Sequence, residues 1–328
     1  MDFPTASNFR AQHERLRSRV VRTPVQEWVS PRKDSLLSAD TEVYWKLELF
    51  QKSGSFKYRG AISVIDQMNP EERQAGVVAG TGGNHGIAVA LAAKDAGVDA
   101  KIIVPKAMNS FRRNAIDRIG AEIVVVDCIS QILDEMHRVA KQESRTVMHP
   151  FEHPAITLGA GTLGVEFLEQ VSDLDVVIVP IGGGGLASGV SCAIKEINPK
   201  CEVYGVEPVG ANSMQLSIEQ GSAVALQIPP KSIADSLCSP KAESYSFAVC
   251  QKYLDGVVLI EEGEIVEAMR ILFEEGKVAV EPAGAAATAA LLGPLRKRCL
   301  GRRVGVIVCG SNIDVETFFG LFPFSCEK

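Results

Sequence analysis

The most constraining feature of this sequence is the alternation of short apolar runs with longer segments of helical periodicity. From Gly76 to Val308, an apolar run is repeatedly followed by a turn and then by apolar residues at helical spacing. Strands that alternate with helices form parallel βαβ units, because a parallel neighbour is reached only through a crossover connection. We therefore predict an α/β fold in which ligands bind at the carboxyl ends of the strands.

Hydrophobic periodicity also places the individual elements along the chain. The strands are predicted at 43–48, 77–79, 100–104, 123–126, 145–149, 176–180, 202–206, 257–260 and 304–308. The helices are predicted at 8–20, 58–68, 87–96, 110–119, a segment that ends near 142, 156–170, 187–197, 262–276 and 283–292. Loops are predicted at 31–40 and 150–154, with mixed helix and loop at 209–245.

Size and composition argue against several classes of protein. With 328 residues, 46% of them hydrophobic and 23% charged, the chain can build a large core, and we expect two domains. The net charge of −6 argues against nucleic acid as a main partner. No apolar run reaches the roughly 18 residues of a membrane span, and residues 1–4 do not begin a secretory signal. We therefore expect a cytoplasmic protein whose eight cysteines are reduced thiols.

Lys57 lies where a flexible turn enters a predicted helix. The strand 43–48 precedes the turn Ser53-Gly54-Ser55, and helical periodicity begins at Tyr58. A lysine held beside a helix N-terminus loses part of its preference for the charged form. Because a neutral amine forms a Schiff base with a carbonyl group, Lys57 is a candidate nucleophile. A surface lysine in a loop would have the same local sequence.

Gly182, Gly183, Gly184 and Gly185 form a turn between an apolar strand and a helix. Consecutive backbone N–H groups without side chains can surround one anion at the positive end of a helix. Four glycines exceed what a tight turn needs, so we predict a phosphate site. The stretch also fits G-x-G-x-x-A, and Glu207 ends the next strand, so the glycines alone leave a dinucleotide-binding protein open.

A second glycine-containing turn lies between a predicted strand and the next helix. The backbone amides of the turn from Thr81 to Gly86, together with the Thr81 hydroxyl, can hold a carboxylate at the helix start. Asn84 offers both a donor and an acceptor. His85 is more typical of a structural histidine than of a catalytic one.

Five motifs of this sequence carry a resemblance to a known family. They are Gly54-Ser55-Phe56-Lys57-Tyr58-Arg59-Gly60, Gly83-Asn84-His85-Gly86, Gly182-Gly183-Gly184-Gly185-Leu186, Glu281-Pro282 and Cys309-Gly310-Ser311-Asn312. In order and spacing they resemble the serine/threonine dehydratase and serine racemase family, which are fold-type II enzymes that use pyridoxal phosphate. The resemblance covers about residues 15–320 and implies pyridoxal phosphate rather than a dinucleotide.

The resemblance also implies an architecture. Two open, twisted, mostly parallel sheets flanked by helices are expected. A large cofactor-binding domain would comprise residues 1–68 and 154–328, and a small mobile α/β domain would comprise residues 69–153. The implied assembly is a homodimer.

The resemblance assigns roles to individual residues. Lys57 would form the Schiff base with the cofactor and carry the proton at the substrate Cα. Phe56 would pack on the cofactor ring, Asn84 would bind its 3′-oxygen, and Cys309 would lie beside the pyridine nitrogen. A neutral Cys309 would make the ring a weaker electron sink, which favours prompt expulsion of a β-substituent. The other implied cofactor ligands are Gly182, Gly183, Gly184, Gly185, Leu186 and Glu281, and the implied substrate ligands are Ser55, Thr81, Gly82, Gly83 and His85.

The sequence departs from this family at two positions. Gly82 stands where racemases have the serine that serves as acid and base on the face opposite the lysine. Its absence favours dehydration over racemisation and leaves space near the substrate. Ser213 stands where the family often has a carboxylate for a divalent cation. With Glu207 as the one strong hard ligand left, we predict no metal.

The implied activity is that of an amino-acid lyase. It would convert a β-hydroxy-α-amino acid of the serine and threonine class to a 2-oxo acid and ammonia by β-elimination. Gly82 and Ser236 leave phenylserine open as an alternative substrate, and hydroxyaspartate is another. An amino-acid racemase and a nucleotide-binding oxidoreductase are the less favoured alternatives.

Overall fold

Two separate sheets organise the chain in this computed structural model, which describes residues 2–322. The strands within that range are β1 (Val25–Glu27), β2 (Glu42–Leu47), β3 (Val77–Gly80), β4 (Ala100–Pro105), β5 (Glu122–Val126), β6 (Thr146–Val147), β7 (Val176–Pro180), β8 (Glu202–Pro208), β9 (Gly256–Ile260) and β10 (Arg303–Val308).

Helices connect the strands and cover the sheets. They are α1 (Ala6–Leu16), α2 (Pro31–Leu36), α3 (Lys57–Asp66), α4 (Pro70–Ala75), α5 (Asn84–Ala96), α6 (Ser110–Ile119), α7 (Ile132–Glu143), α8 (Pro154–Gln170), α9 (Gly185–Ile197), α10 (Ser213–Gln220), α11 (Ser244–Tyr253), α12 (Glu262–Glu274), α13 (Pro282–Leu292), α14 (Arg296–Cys299) and α15 (Val315–Gly320).

The larger sheet has the strand order β1-β2-β10-β7-β8-β9, and the smaller has the order β5-β4-β3-β6. Every pairing is parallel except that of the edge strand β1 with β2. The predicted α/β fold with two mostly parallel sheets is therefore confirmed. The smaller sheet is built entirely from residues 77–147. The exact domain boundaries, and the mobility of the smaller domain, stay predictions.

The central strands of the larger sheet are buried on both faces. All five residues of β7 are buried, and so are five of the six residues of β10. Helices on both sides of a parallel sheet exclude water from each face, so its strands have continuous apolar sequences rather than alternating ones. For this reason the prediction of a strand at 176–180 matches β7 residue for residue.

The prediction of a loop at 31–40 is wrong, because α2 occupies residues Pro31–Leu36. The side chain of Ser30 accepts a hydrogen bond from the Lys33 N–H at 3.1 Å, and Pro31 fills the first helical position. A serine followed by proline is a strong helix-start signal even where the following residues are polar. The predicted strand 145–149 is reduced to Thr146–Val147, and β1 was not predicted.

Seven cysteines lie in residues 2–322, and each of them is a free thiol. Cys326 lies outside that range. Within the same range, none of the helices combines the length and the apolar character that a membrane crossing requires.

Candidate active site

Four turns meet at the carboxyl ends of the strands. The lysine turn follows β2, residues 309–312 follow β10, and the glycine turn follows β7. These three strands lie in the larger sheet, with β10 between β2 and β7. The fourth turn, residues 81–83, follows β3 of the smaller sheet. The carboxyl ends of these strands therefore bring the four turns together, as predicted, although the turns are distant in sequence.

Lys57 is the first residue of α3, and its partly buried side chain lies near Pro150 and the ring of Phe56. Its Nζ donates a hydrogen bond to the Pro150 carbonyl at 2.9 Å and lies 5.2 Å from the centroid of the Phe56 ring. Burial lowers the pKa of the Lys57 amine to about 8. A substantial fraction of the amine is then neutral near physiological pH, which nucleophilic attack on a carbonyl requires.

The turn after β10 holds the lysine turn in place. The Phe56 N–H donates to the Cys309 carbonyl at 3.0 Å, and Ser55 pairs with Gly310 in an isolated β-bridge. The Cys309 thiol donates to the Ala283 carbonyl at 3.4 Å, and burial raises its pKa. Cys309 is therefore a neutral thiol beside the lysine turn.

The four glycines form a close-packed entry to α9. Gly184 has a φ of +93°, which favours glycine, and α9 begins at Gly185. A side chain on Gly183 would overlap the ring of Phe151, and one on Gly182 would come within 3.0 Å of the Ser236 carbonyl. The first N–H groups of a helix have no partner within the helix, and this arrangement at the start of α9 suits an anion. Leu186 is buried behind the turn.

The turn before α5 leaves open space where a racemase-type side chain would stand. The Thr81 hydroxyl accepts a hydrogen bond from the Gly83 N–H at 2.9 Å, which shapes the turn. Apart from Gly82 and its two chain neighbours, no atom of the described residues lies within 4 Å of the place where a Cβ on Gly82 would be. His85 is buried, and its Nε2 donates to the Met148 carbonyl at 2.7 Å. Burial lowers the pKa of His85 to about 3, so its ring is neutral.

Asn84 and Glu281 are joined directly. The Asn84 side-chain amide donates to Glu281 Oε1 at 2.6 Å, and Asn84 Oδ1 accepts from Asn312 Nδ2 at 2.7 Å. Glu281 is 1% exposed, and burial raises the pKa of its carboxyl to about 7. Arg112 lies 3.4 Å from the other carboxylate oxygen. Arg112 is not among the site residues that the sequence predicts, because an arginine on an amphipathic helix gives no local sign of such a contact.

Glu207 is not positioned as a ribose ligand. Its side chain is fully buried, and its two oxygens accept hydrogen bonds from the Met214 N–H at 2.9 Å and the Gln215 N–H at 2.8 Å. The carboxyl group therefore caps the start of α10. Because both carboxylate oxygens are engaged, Glu207 no longer supports the dinucleotide alternative, which leaves only the G-x-G-x-x-A match. Among residues 2–322, no group of three or more His, Cys, Asp or Glu side chains is placed to hold a metal ion.

The profile of one family matches nearly the whole chain. The family is described as "Pyridoxal-phosphate dependent enzyme", and the match extends over residues 17–310. This chain belongs to the pyridoxal-phosphate dependent enzymes. The prediction of pyridoxal phosphate as the cofactor, rather than a dinucleotide, is thereby confirmed.

Similar members of these pyridoxal-phosphate dependent enzymes include two curated relatives and one solved structure. A phenylserine dehydratase from Ralstonia pickettii is 45% identical over 278 residues, which is 85% of either chain. An L-threonine ammonia-lyase from Thermotoga maritima is 39% identical over 288 residues, which is 86% of this chain and 70% of the relative. The structure of maize serine racemase has a TM-score of 0.91 at 34% identity, with 97% of each chain covered.

The residues at the site fit a pyridoxal-phosphate group. A phosphate is matched by the glycine turn at the start of α9, and a carbonyl carbon by the partly neutral amine of Lys57. Ser55 is fully buried, and its hydroxyl has no hydrogen-bond partner among the described residues. A buried polar atom without a partner is costly unless a ligand or water satisfies it. The roles of the individual residues nevertheless stay predictions.

Proposed function

We propose that this enzyme is a hydroxy-amino-acid dehydratase, also termed an ammonia-lyase. Its substrate is a β-hydroxy-α-amino acid, and its products are a 2-oxo acid and ammonia. The observation that carries this proposal is the partly neutral amine of Lys57, which faces the site beside a neutral Cys309 thiol. The names of relatives that are 45% and 39% identical, a phenylserine dehydratase and an L-threonine ammonia-lyase, support it.

The residues of the chain divide the work as follows. When bound, pyridoxal phosphate supplies the electron sink that makes the Cα–H bond of an amino acid acidic. The glycine turn 182–185 and Leu186 would hold its phosphate, Phe56 would pack on its ring, and Asn84 would bind its 3′-oxygen. Lys57 accepts the Cα proton, because its neutral form is accessible at physiological pH.

The turn before α5 binds the substrate carboxylate. Helix α5 begins at Asn84, so the N–H groups of Asn84 and His85 have no partner within the helix and are suited to bind an anion. The Thr81 hydroxyl holds the Gly83 N–H and so fixes the turn that Gly82 belongs to. Ser55 and His85 complete the substrate side in this proposal.

Gly82 favours elimination over racemisation. Racemisation requires a second acid on the face of Cα opposite Lys57. Glycine has no side chain, and apart from its chain neighbours no atom of the described residues comes within 4 Å of its Cβ position. We therefore propose a lyase that accepts one Cα configuration and does not racemise its substrate.

The open space at Gly82 also favours a bulky β-substituent. A phenyl group needs more room than the hydrogen or methyl group of serine or threonine. The phenylserine dehydratase relative supports an aryl substrate, so we propose phenylserine as the preferred substrate and serine or threonine as the second candidate. A competition assay between these amino acids, with release of ammonia as the readout, separates the two.

Replacement of Lys57 by alanine tests the proposed activity. We expect Lys57→Ala to release no ammonia or 2-oxo acid above background, while its circular dichroism stays unchanged. Lys52→Ala is the matched control, because Lys52 lies in the same turn with its Nζ 3.0 Å from Asp95. Substantial ammonia release by Lys57→Ala would remove Lys57 from the mechanism. Chiral chromatography of the residual substrate tests the proposal for Gly82. Accumulation of the opposite enantiomer would contradict it.

We also propose that the chain forms a homodimer and that residues 69–153 move as one small domain over the site. The family resemblance supports both. Sedimentation-equilibrium analysis tests the dimer, for which a single species of about 35.2 kDa would be contrary evidence. Hydrogen exchange with and without substrate tests the movement.

A further inference from the structure

Arg112 connects a helix beside the smaller sheet to three segments that lie outside that sheet. It lies on α6, beside the four-stranded sheet, and its side chain is 8% exposed. Its two terminal nitrogens contact both oxygens of Asp235, at 2.5 Å and 3.1 Å. Its Nε donates to the Asn312 carbonyl at 3.0 Å, and one terminal nitrogen lies 3.4 Å from Glu281 Oε2. The bidentate contact with Asp235 fixes the guanidinium plane.

The contact with Glu281 continues to Asn84. Glu281 Oε1 accepts from the Asn84 amide nitrogen at 2.6 Å, and Asn312 Nδ2 donates to Asn84 Oδ1 at 2.7 Å. Both ends of the Asn84 amide are therefore held, and an inverted amide would lose both bonds. The amide nitrogen carries two hydrogens, so one goes to Glu281 and the other stays available to a ligand.

We propose that Arg112 is a positioning residue that holds the Glu281 carboxylate and, through it, turns the free N–H of Asn84 toward the cofactor's 3′-oxygen. Arg112 itself does not contact the reacting atoms. Because Arg112 lies on α6, beside the smaller sheet, and Glu281 precedes α13, this alignment is complete only when Arg112 and Glu281 are in contact. The proposal depends on the assignment of Asn84 to the cofactor, but not on the reaction that follows.

Electrostatics explain why Glu281 needs this cation. Four groups face its carboxylate: Arg112, Asp235, the Cys309 thiol and the Asn84 amide. Burial and the Asp235 charge raise the pKa of Glu281, Arg112 and Asn84 lower it, and the result is about 7. Without Arg112 the buried carboxylate would take up a proton. A protonated carboxyl group carries one O–H donor. When that O–H is on Oε1, it faces the Asn84 N–H donor to donor, and the hydrogen bond that holds the amide is weakened.

A pH titration of the cofactor-loaded protein tests the proposal. The readout is the visible absorption of the bound cofactor, which reports on hydrogen bonds to its 3′-oxygen. We expect Arg112→Gln to raise the midpoint of the absorption change by about 1–3 pH units, because a neighbouring cation lowers a carboxyl pKa by that amount. The exposed neighbour Arg113 provides the control, and Arg113→Gln should titrate like the wild type.

Two further variants separate positioning from a general structural effect. Glu281→Gln should abolish the titration, and adding Arg112→Gln to it should change the spectrum no further. Arg112→Lys keeps the charge and should retain the wild-type midpoint, so it also serves if Arg112→Gln does not fold. An unchanged midpoint in Arg112→Gln, or an equal spectral change from Arg112→Gln with and without Glu281, would overturn the proposal.

Discussion

A buried group of four charges supports the helix that carries Lys57, and Glu166→Gln probes it. Lys46, Arg59, Glu48 and Glu166 are each at most 1% exposed. Glu166 Oε1 lies 2.5 Å from Lys46 Nζ and 3.0 Å from an Arg59 nitrogen. Arg59 also contacts Glu48 at 2.8 Å. Two cations and two anions balance, and Arg59 lies two residues after Lys57 in α3.

Glutamine preserves the shape of Glu166 but removes its charge, so the buried group is left with one excess positive charge. Removing one partner of a buried ion pair costs about 3–5 kcal/mol, because the remaining charge is uncompensated. With an unfolding entropy of ~2.1 cal/mol/K per residue, this lowers the Tm of a chain of 328 residues by about 4–7 °C. Loss of this magnitude would also loosen the turn that presents the amine.

Thermal unfolding followed by circular dichroism measures the effect. Glu135→Gln is the matched control, since Glu135 forms an exposed pair with Arg138 and its loss should leave the Tm unchanged. Adding Lys46→Met to Glu166→Gln restores neutrality and should recover at least half of the lost Tm. If Glu166→Gln lowers the Tm no more than Glu135→Gln does, the four charges do not stabilise the fold as described.

Three further outcomes are expected. Gly82→Ser should lower kcat/KM for phenylserine about tenfold and for serine less than about threefold, since the serine side chain fills space that only the larger substrate uses. Equal losses on both substrates would show that residue 82 does not line the pocket. EDTA should leave activity unchanged, because Glu207 is engaged by the Met214 and Gln215 amides; loss that Mg²⁺ restores would contradict this. Cofactor uptake by the apoprotein should accelerate as pH rises and level off above about 8, where Lys57 is neutral; stopped-flow absorbance measures it, and a rate that falls over this range would be inconsistent.

The elements that the sequence predicts best are those determined by local pattern. The helix Ser110–Ile119 matches its prediction at both ends, because Asn109 caps its start and Gly120 ends it in the left-handed conformation. The glycine turn was also predictable, since its conformation depends on residues that are adjacent in sequence. Helix α2 lies where hydrophobic periodicity predicts a loop. Its residues are mostly polar, so only the cap at Ser30 and the following proline mark its start.

Contacts between distant segments could not be predicted from local pattern. The sequence predicts only a connecting loop at 150–154. In the structure Pro150 accepts a hydrogen bond from Lys57, and Phe151 packs on Gly183. The contact of Arg112 with Glu281 joins a surface-type helix to the start of α13. Such pairs depend on how the two sheets lie against each other, which no periodicity encodes.

The central position of β10 has a consequence for the order in which this enzyme is made. Strand β10 is the last of the described strands to leave the ribosome, yet it lies between β2 and β7. The Phe56 N–H donates to the Cys309 carbonyl, and the Ser311 N–H donates to the Gly54 carbonyl, each at 3.0 Å. These two hydrogen bonds to the lysine turn therefore cannot form until translation has passed residue 311. Such late, non-local pairing slows folding, and a nascent chain exposes unpaired edges of β2 and β7 until then.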